Sequence, residues 1–138
     1  KGEEYVKAEN ISDFVEFRGP VNGKEKAEIL EAADIFVFPT YYEMEGHPWV
    51  IVEAMAAGLP VITTDQGCIK ESVCDGENGF IVSKKDSGIL GQRINYLIEN
   101  PEKRKRMGKK SRQIYEQNFT GEHFIGRMIS VINLILGR

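Results

Sequence analysis

The sequence predicts an α/β fold, an open parallel sheet with helices flanking it. Three observations carry that expectation. Short apolar runs alternate with segments of helical periodicity over residues 14–98, a pattern that implies parallel strands joined by right-handed crossovers. Ile35-Phe36-Val37-Phe38 is continuously apolar, as in a strand covered on both faces. The stretch PTYYEMEGHPWVIVEAMAAGLP, from Pro39 to Pro60, passes from polar and aromatic loop sequence into a small-residue helix closed by Gly58 and Pro60.

Each element follows from local chemistry. Residues 2–10 read as the tail of a helix. Phe14-Val15-Glu16-Phe17 reads as a short strand ended by Arg18-Gly19-Pro20. Residues 24–33 place Ala27, Leu30 and Ala33 at helical spacing among charges, a half-buried helix. After the 35–38 strand comes a helix from about Pro48 to Ala57. Pro48 falls in its first turn, where a missing N–H costs nothing. Val61-Ile62-Thr63-Thr64 is the next strand, and residues 69–73 form one helical turn. Asp75-Gly76-Glu77-Asn78-Gly79 is turn chemistry, followed by the strand Phe80-Ile81-Val82. Residues 86–98 are a helix with Leu90, Ile94 and Leu97 on one face. Asn100-Pro101 breaks the chain before a very basic helix over 102–118. Residues 122–136 form a last helix whose stripe includes Phe124, Met128, Ile129 and Ile132.

The totals set bounds. A length of 138 residues with 41% hydrophobic content suits one domain. A net charge of −3 argues against a nucleic-acid partner. No apolar run approaches the roughly 20 residues that span a bilayer. Lys rather than Met at position 1, with no secretory signal, suggests an excised piece or a processed product. Cys68 and Cys74 read as free thiols in a reducing, cytoplasmic setting. His47 and His123 form no ligand pattern with them, so no metal is expected.

In an open parallel sheet, ligands bind beyond the carboxyl ends of the strands. That places the site on the loops 18–23, 39–47, 65–68 and 83–86. The 48–57 helix begins there, and the N–H groups of Trp49 and Val50 have no partner inside it. Such a helix start favours a diphosphate. Glu45 in the loop and Glu53 in the helix flank it, and their carboxylates could hold sugar hydroxyls.

ADIFVFPT, then EGHPWVIVEAMAAGLPVITTDQG, then KESVCDGENGFIV, resembles the carboxyl-terminal half of retaining glycosyltransferases of the two-domain GT-B architecture. The group includes mannosyl-, glucosyl- and glycogen or sucrose synthase-like enzymes. The match is close over residues 15–86 and looser in the helical tail. The resemblance implies a Rossmann-like donor-binding domain spanning 1–138 and lacking its first strands. It implies a hexosyl transfer from a nucleoside diphosphate sugar to an acceptor hydroxyl, with no cofactor. Glu45 would meet the donor sugar at the reacting centre, and Glu53 the ribose hydroxyls. Backbone N–H groups of Gly46 and His47 would meet the sugar, and those of Trp49 and Val50 the phosphates. The loop Arg18, Gly19, Pro20 and Val21 would approach the base. The acceptor would be a saccharide or a lipid-linked glycan. The terminal helix, 119–138, would pack on an amino-terminal domain, with self-association of the isolated piece as the alternative.

Other readings stay open on the residues alone. His47 suits helix capping or sugar contact, and Trp49 suits packing or base stacking. Arg18 suits the base or a solvated strand end. Seven of the ten residues from Lys103 to Arg112 are basic, which fits a solvated helix face or docking on the inner face of an anionic membrane. A non-catalytic binding or assembly module and a sugar-nucleotide epimerase are the rival functions.

Overall fold

In the computed structural model, which describes residues 1–137, three short apolar runs pair into one parallel sheet. Its strands are β1 (Phe36–Phe38), β2 (Val61–Thr64) and β3 (Gly79–Val82), in the order β1-β2-β3. Phe36 pairs with Val61 and Phe38 with Thr63; Val61 pairs with Gly79 and Thr64 with Val82. The central strand is buried along its whole length. Successive side chains of a strand point to opposite faces. Val61 accordingly joins Ile51, Met55, Ile69 and Val73 on one side. Ile62 joins Phe80, Val82, Leu97 and Met107 on the other. Each large apolar side chain buried in these two layers contributes about 1.5–3 kcal/mol.

Two expectations about strands are corrected. Residues 14–17 form no strand: Ser12–Phe14 is a single 3-10 turn, and Val15 is extended without a ladder partner. Phe14 is 86% exposed. An extended segment becomes a strand only beside a neighbour that satisfies its N–H and C=O groups, and this one has none among the described residues. β1 in turn is half-buried rather than fully covered. Helices shield both its faces, but its outer edge pairs with nothing among the described residues.

Among the described residues six α-helices accompany the sheet: α1 (Gly2–Ala8), α2 (Gly23–Ala32), α3 (Trp49–Ala56), α4 (Ser87–Glu99), α5 (Pro101–Asn118) and α6 (Gly121–Leu136). α3 ends because Gly58 takes a φ of 75°. Its N–H reaches the Met55 carbonyl at 3.0 Å, and the Leu59 N–H reaches Ala54 at 3.0 Å, the paired bonds of a left-handed helix stop. α4 starts at Asp86, whose carboxylate accepts the Ile89 N–H at 2.9 Å. Met107 of α5 enters the second core layer, while Ile114 and Tyr115 pack on the first. One helix therefore closes both layers. Buried Asn78 ties this end together. It accepts the Cys74 N–H at 2.8 Å, donates to the Ser72 carbonyl at 3.1 Å, and its own carbonyl accepts from Ser111 at 3.1 Å.

α6 differs from the rest. Thr120 caps it, accepting the His123 N–H at 3.4 Å. None of its residues is buried, so its apolar stripe is no part of this chain's core. Both cysteines are free and exposed. No helix among the described residues is long and apolar enough to cross a membrane.

Candidate functional site

The mouth of α3 opens beyond the carboxyl end of β1. Pro48 stands one residue before the first turn rather than inside it, as the cap residue, with φ −66° and ψ 115°. Its carbonyl accepts the Ile51 N–H at 3.1 Å. Among the described residues no side chain caps this helix, and the N–H groups of Trp49 and Val50 have no partner. The aligned peptide dipoles add roughly half a positive charge at this end. Trp49 is 71% exposed beside it.

The loop that leads into the mouth is pinned by hydrogen bonds. The Thr40 N–H donates to the Phe38 carbonyl at 2.9 Å, and the Thr64 hydroxyl donates to the Thr40 carbonyl. The Thr40 hydroxyl accepts the Tyr42 N–H at 3.3 Å and donates to Glu45 Oε2 at 3.1 Å. The Gly46 carbonyl accepts the Cys68 N–H at 3.0 Å. Gly67 makes this approach possible. It has a φ of 54°, and a Cβ there would run into the Glu45 and Gly46 carbonyls. Glu45 is thus a half-buried carboxylate with one oxygen tied to a hydroxyl.

His47 does not cap α3; its ring stacks on Phe119 with centroids 5.4 Å apart, at 16°. Its Nε2 is buried without a partner among the described residues. Glu53 lies one turn into α3, where its Oε1 accepts from Lys26 Nζ of α2 at 2.5 Å. This pair sits in a groove of about 440 Å³ between α2 and α3, floored by Leu30, Ala56 and Ala57 and closed by Arg112. On its other side Glu53 shares with Trp49, Phe119 and Phe124 a second hollow of about 310 Å³. None of the described cavities is lined by both Glu45 and Glu53.

The 18–21 loop is not brought to this groove. Arg18 pairs with Glu16 at 2.8 Å and lines a hollow with Glu25, Glu28 and Ile29 on the opposite face of α2. Gly19 and Pro20 are exposed, and Val21 is half-buried. With no strand at 14–17 to aim it, the segment rests against α2 instead. The structure therefore gathers Glu45, Gly46, Trp49 and Val50 at one helix tip, with Glu53 a turn deeper and Arg18 apart.

Three residues here escape a reading of the sequence alone. Lys26 lies on the Leu30 face of α2, and that spacing was its one available signal. Thr40 and Gly67 act through chain segments that meet only in the fold.

A family profile described as "Glycosyl transferases group 1" matches residues 1–114. Spore coat protein SA of Bacillus subtilis is 36% identical over 120 residues, 86% of this chain and 32% of that protein. The D-inositol 3-phosphate glycosyltransferase of Streptomyces avermitilis is 35% identical over 99 residues, 72% of this chain and 21% of its own. Among solved structures, a sucrose-phosphate synthase from Thermosynechococcus elongatus superposes with a TM-score of 0.87 at 30% identity, covering 98% of this chain and 33% of the other. The chain thus spans a third or less of these relatives' length.

Proposed function

Since the chain belongs to the glycosyl transferases group 1 and has their open parallel sheet, we propose that it is the donor-binding part of a retaining hexosyltransferase. The donor is a nucleoside diphosphate sugar. One observation carries this reading: the uncapped tip of α3 has two free N–H groups and an exposed tryptophan, follows a pinned carboxylate in the chain and has a second carboxylate one turn further along the helix. The diphosphate sits on the N–H groups of Trp49 and Val50, where the helix dipole offsets its charge. Glu45 and the Gly46 amide position the hexose. Glu53 takes the ribose hydroxyls, in place of the Lys26 ammonium or beside it.

In the reaction, the acceptor hydroxyl bonds to the anomeric carbon as the bond from that carbon to the diphosphate oxygen breaks. The hydroxyl's proton passes to the departing phosphate, and the configuration is retained. Glu45 is a positioning and charge-stabilising group in this account. The acceptor is a saccharide or a lipid-linked glycan, bound mainly by an amino-terminal domain on which α6 packs. In this reading the transfer takes place in the cytoplasm, where the acceptor can lie at the inner face of the membrane.

Calorimetric titration with UDP, GDP and ADP tests the reading. One of them should bind, and Glu53→Ala should weaken it by about 1.5–3 kcal/mol, the range for hydrogen bonds to a charged group. Unchanged nucleotide affinity in that variant would remove Glu53 from the site.

A further inference from the structure

The carboxyl ends of β1 and β3 carry a second feature that donor binding leaves unused. Pro39 and Tyr41 on one side, with Ser83, Lys85, Asp86 and Ser87 on the other, line a notch of about 200 Å³. The Lys85 ammonium lies 5.1 Å from the centre of the Tyr41 ring, a cation–π contact. Lys85 makes no ion pair among the described residues. Its neighbour Asp86 has one oxygen engaged in capping α4. Lys85 also holds a φ of 60°, a left-handed conformation unusual for a residue with a side chain. Tyr41 is 60% exposed although the loop that carries it is pinned at Thr40. A rigid loop therefore displays an aromatic ring and an unpaired cation across a small hollow edged with hydroxyls.

We propose that this notch is an acceptor subsite for a sugar unit bearing a negative group, a phosphate or a carboxylate. The ring of Tyr41 takes the apolar face of the sugar. Lys85 meets the anion as a point charge, and the hydroxyls of Ser83 and Ser87 take ring hydroxyls. The hollow is smaller than pockets for drug-sized ligands, which suits one ring rather than a whole nucleotide sugar. The assignment to the acceptor rests on the donor reading, because Tyr41 stands on the same loop as Glu45.

The test is amide NMR on the protein with four probes: glucose 6-phosphate, glucuronate, glucose and inorganic phosphate. Both charged sugars should shift Tyr41, Ser83 and Lys85 in a saturable way, at least tenfold more tightly than inorganic phosphate. Lys85→Gln should weaken the charged sugars at least tenfold and leave glucose unchanged. Tyr41→Ala should weaken all three sugars, and Tyr41→Phe should restore them. Equal binding of phosphate and glucose 6-phosphate would overturn the proposal, as would the absence of shifts from both charged sugars, or unchanged affinity in both variants. UDP is titrated in parallel and read at the Trp49 and Val50 amides, which neither variant touches. A silent UDP titration would count against the donor reading and, with it, the acceptor assignment, whereas the shifts at Tyr41, Ser83 and Lys85 test the sugar site itself.

Discussion

Gly67 shows how much of a site can depend on one atom that is missing. The 65–68 turn and the Glu45–Gly46 backbone touch because Gly67 has no Cβ and tolerates a φ of 54°. Gly67→Ala should therefore destabilise the fold by about 1–3 kcal/mol, the range for a strained backbone, and should weaken nucleotide binding as Glu45 moves. Thermal melting paired with a nucleotide titration checks both, and an unaltered pair of values would contradict the packing described. The glutamates divide differently. Their residue types and the helix start between them were legible, but their partners were not. Glu45 meets Thr40 five residues away, and Glu53 meets Lys26 across 27 positions. Such contacts depend on how α2 and β1 dock, which no local pattern encodes. An ion pair this exposed contributes at most about 1 kcal/mol to stability. The Lys26–Glu53 contact therefore matters for the shape and charge of the groove more than for holding the fold.

At the scale of elements, periodicity and caps placed all six helices and the three strands that pair. The strand that does not form, at 14–17, is instructive. Its residues have strand propensity, yet a strand is a property of a pair, and none of the described residues supplies its neighbour. The basic helix α5 is also clearer in the fold than in the sequence. Arg104 pairs with Asp34, Lys105 with Glu102, Lys110 with Glu77 and Arg112 with Glu116. These four pairings favour the solvated-face reading over lipid docking, with Lys103, Arg106 and Lys109 left without a carboxylate among the described residues. α6 points the other way. Met128, Ile129 and Ile132 are each about half exposed on an element with no buried residue. A contiguous apolar face of this kind marks a contact surface. The isolated chain should self-associate through it in sedimentation runs at tens of micromolar. Ile129→Glu with Ile132→Glu should return it to monomer. A chain that stays monomeric at every concentration would contradict that expectation.

For the molecule as a whole, the sheet and its two core layers serve mainly to hold a helix tip. β2 is buried on both faces, α3 packs against it, and Gly58 stops α3 cleanly at its far end. The tip is then left open on the side where the pinned loop arrives. The sequence alone located that tip, since Pro48, Gly58 and the apolar run between them define it. It could not show that the tip is uncapped or that Trp49 stands exposed at its edge. That tryptophan is the only one in the chain, which makes it a built-in reporter. Its fluorescence should change saturably as UDP, GDP or ADP is added, with one nucleotide binding most tightly and the response weakened in Glu53→Ala. A tryptophan signal that stays flat for all three nucleotides would contradict a diphosphate at the start of α3.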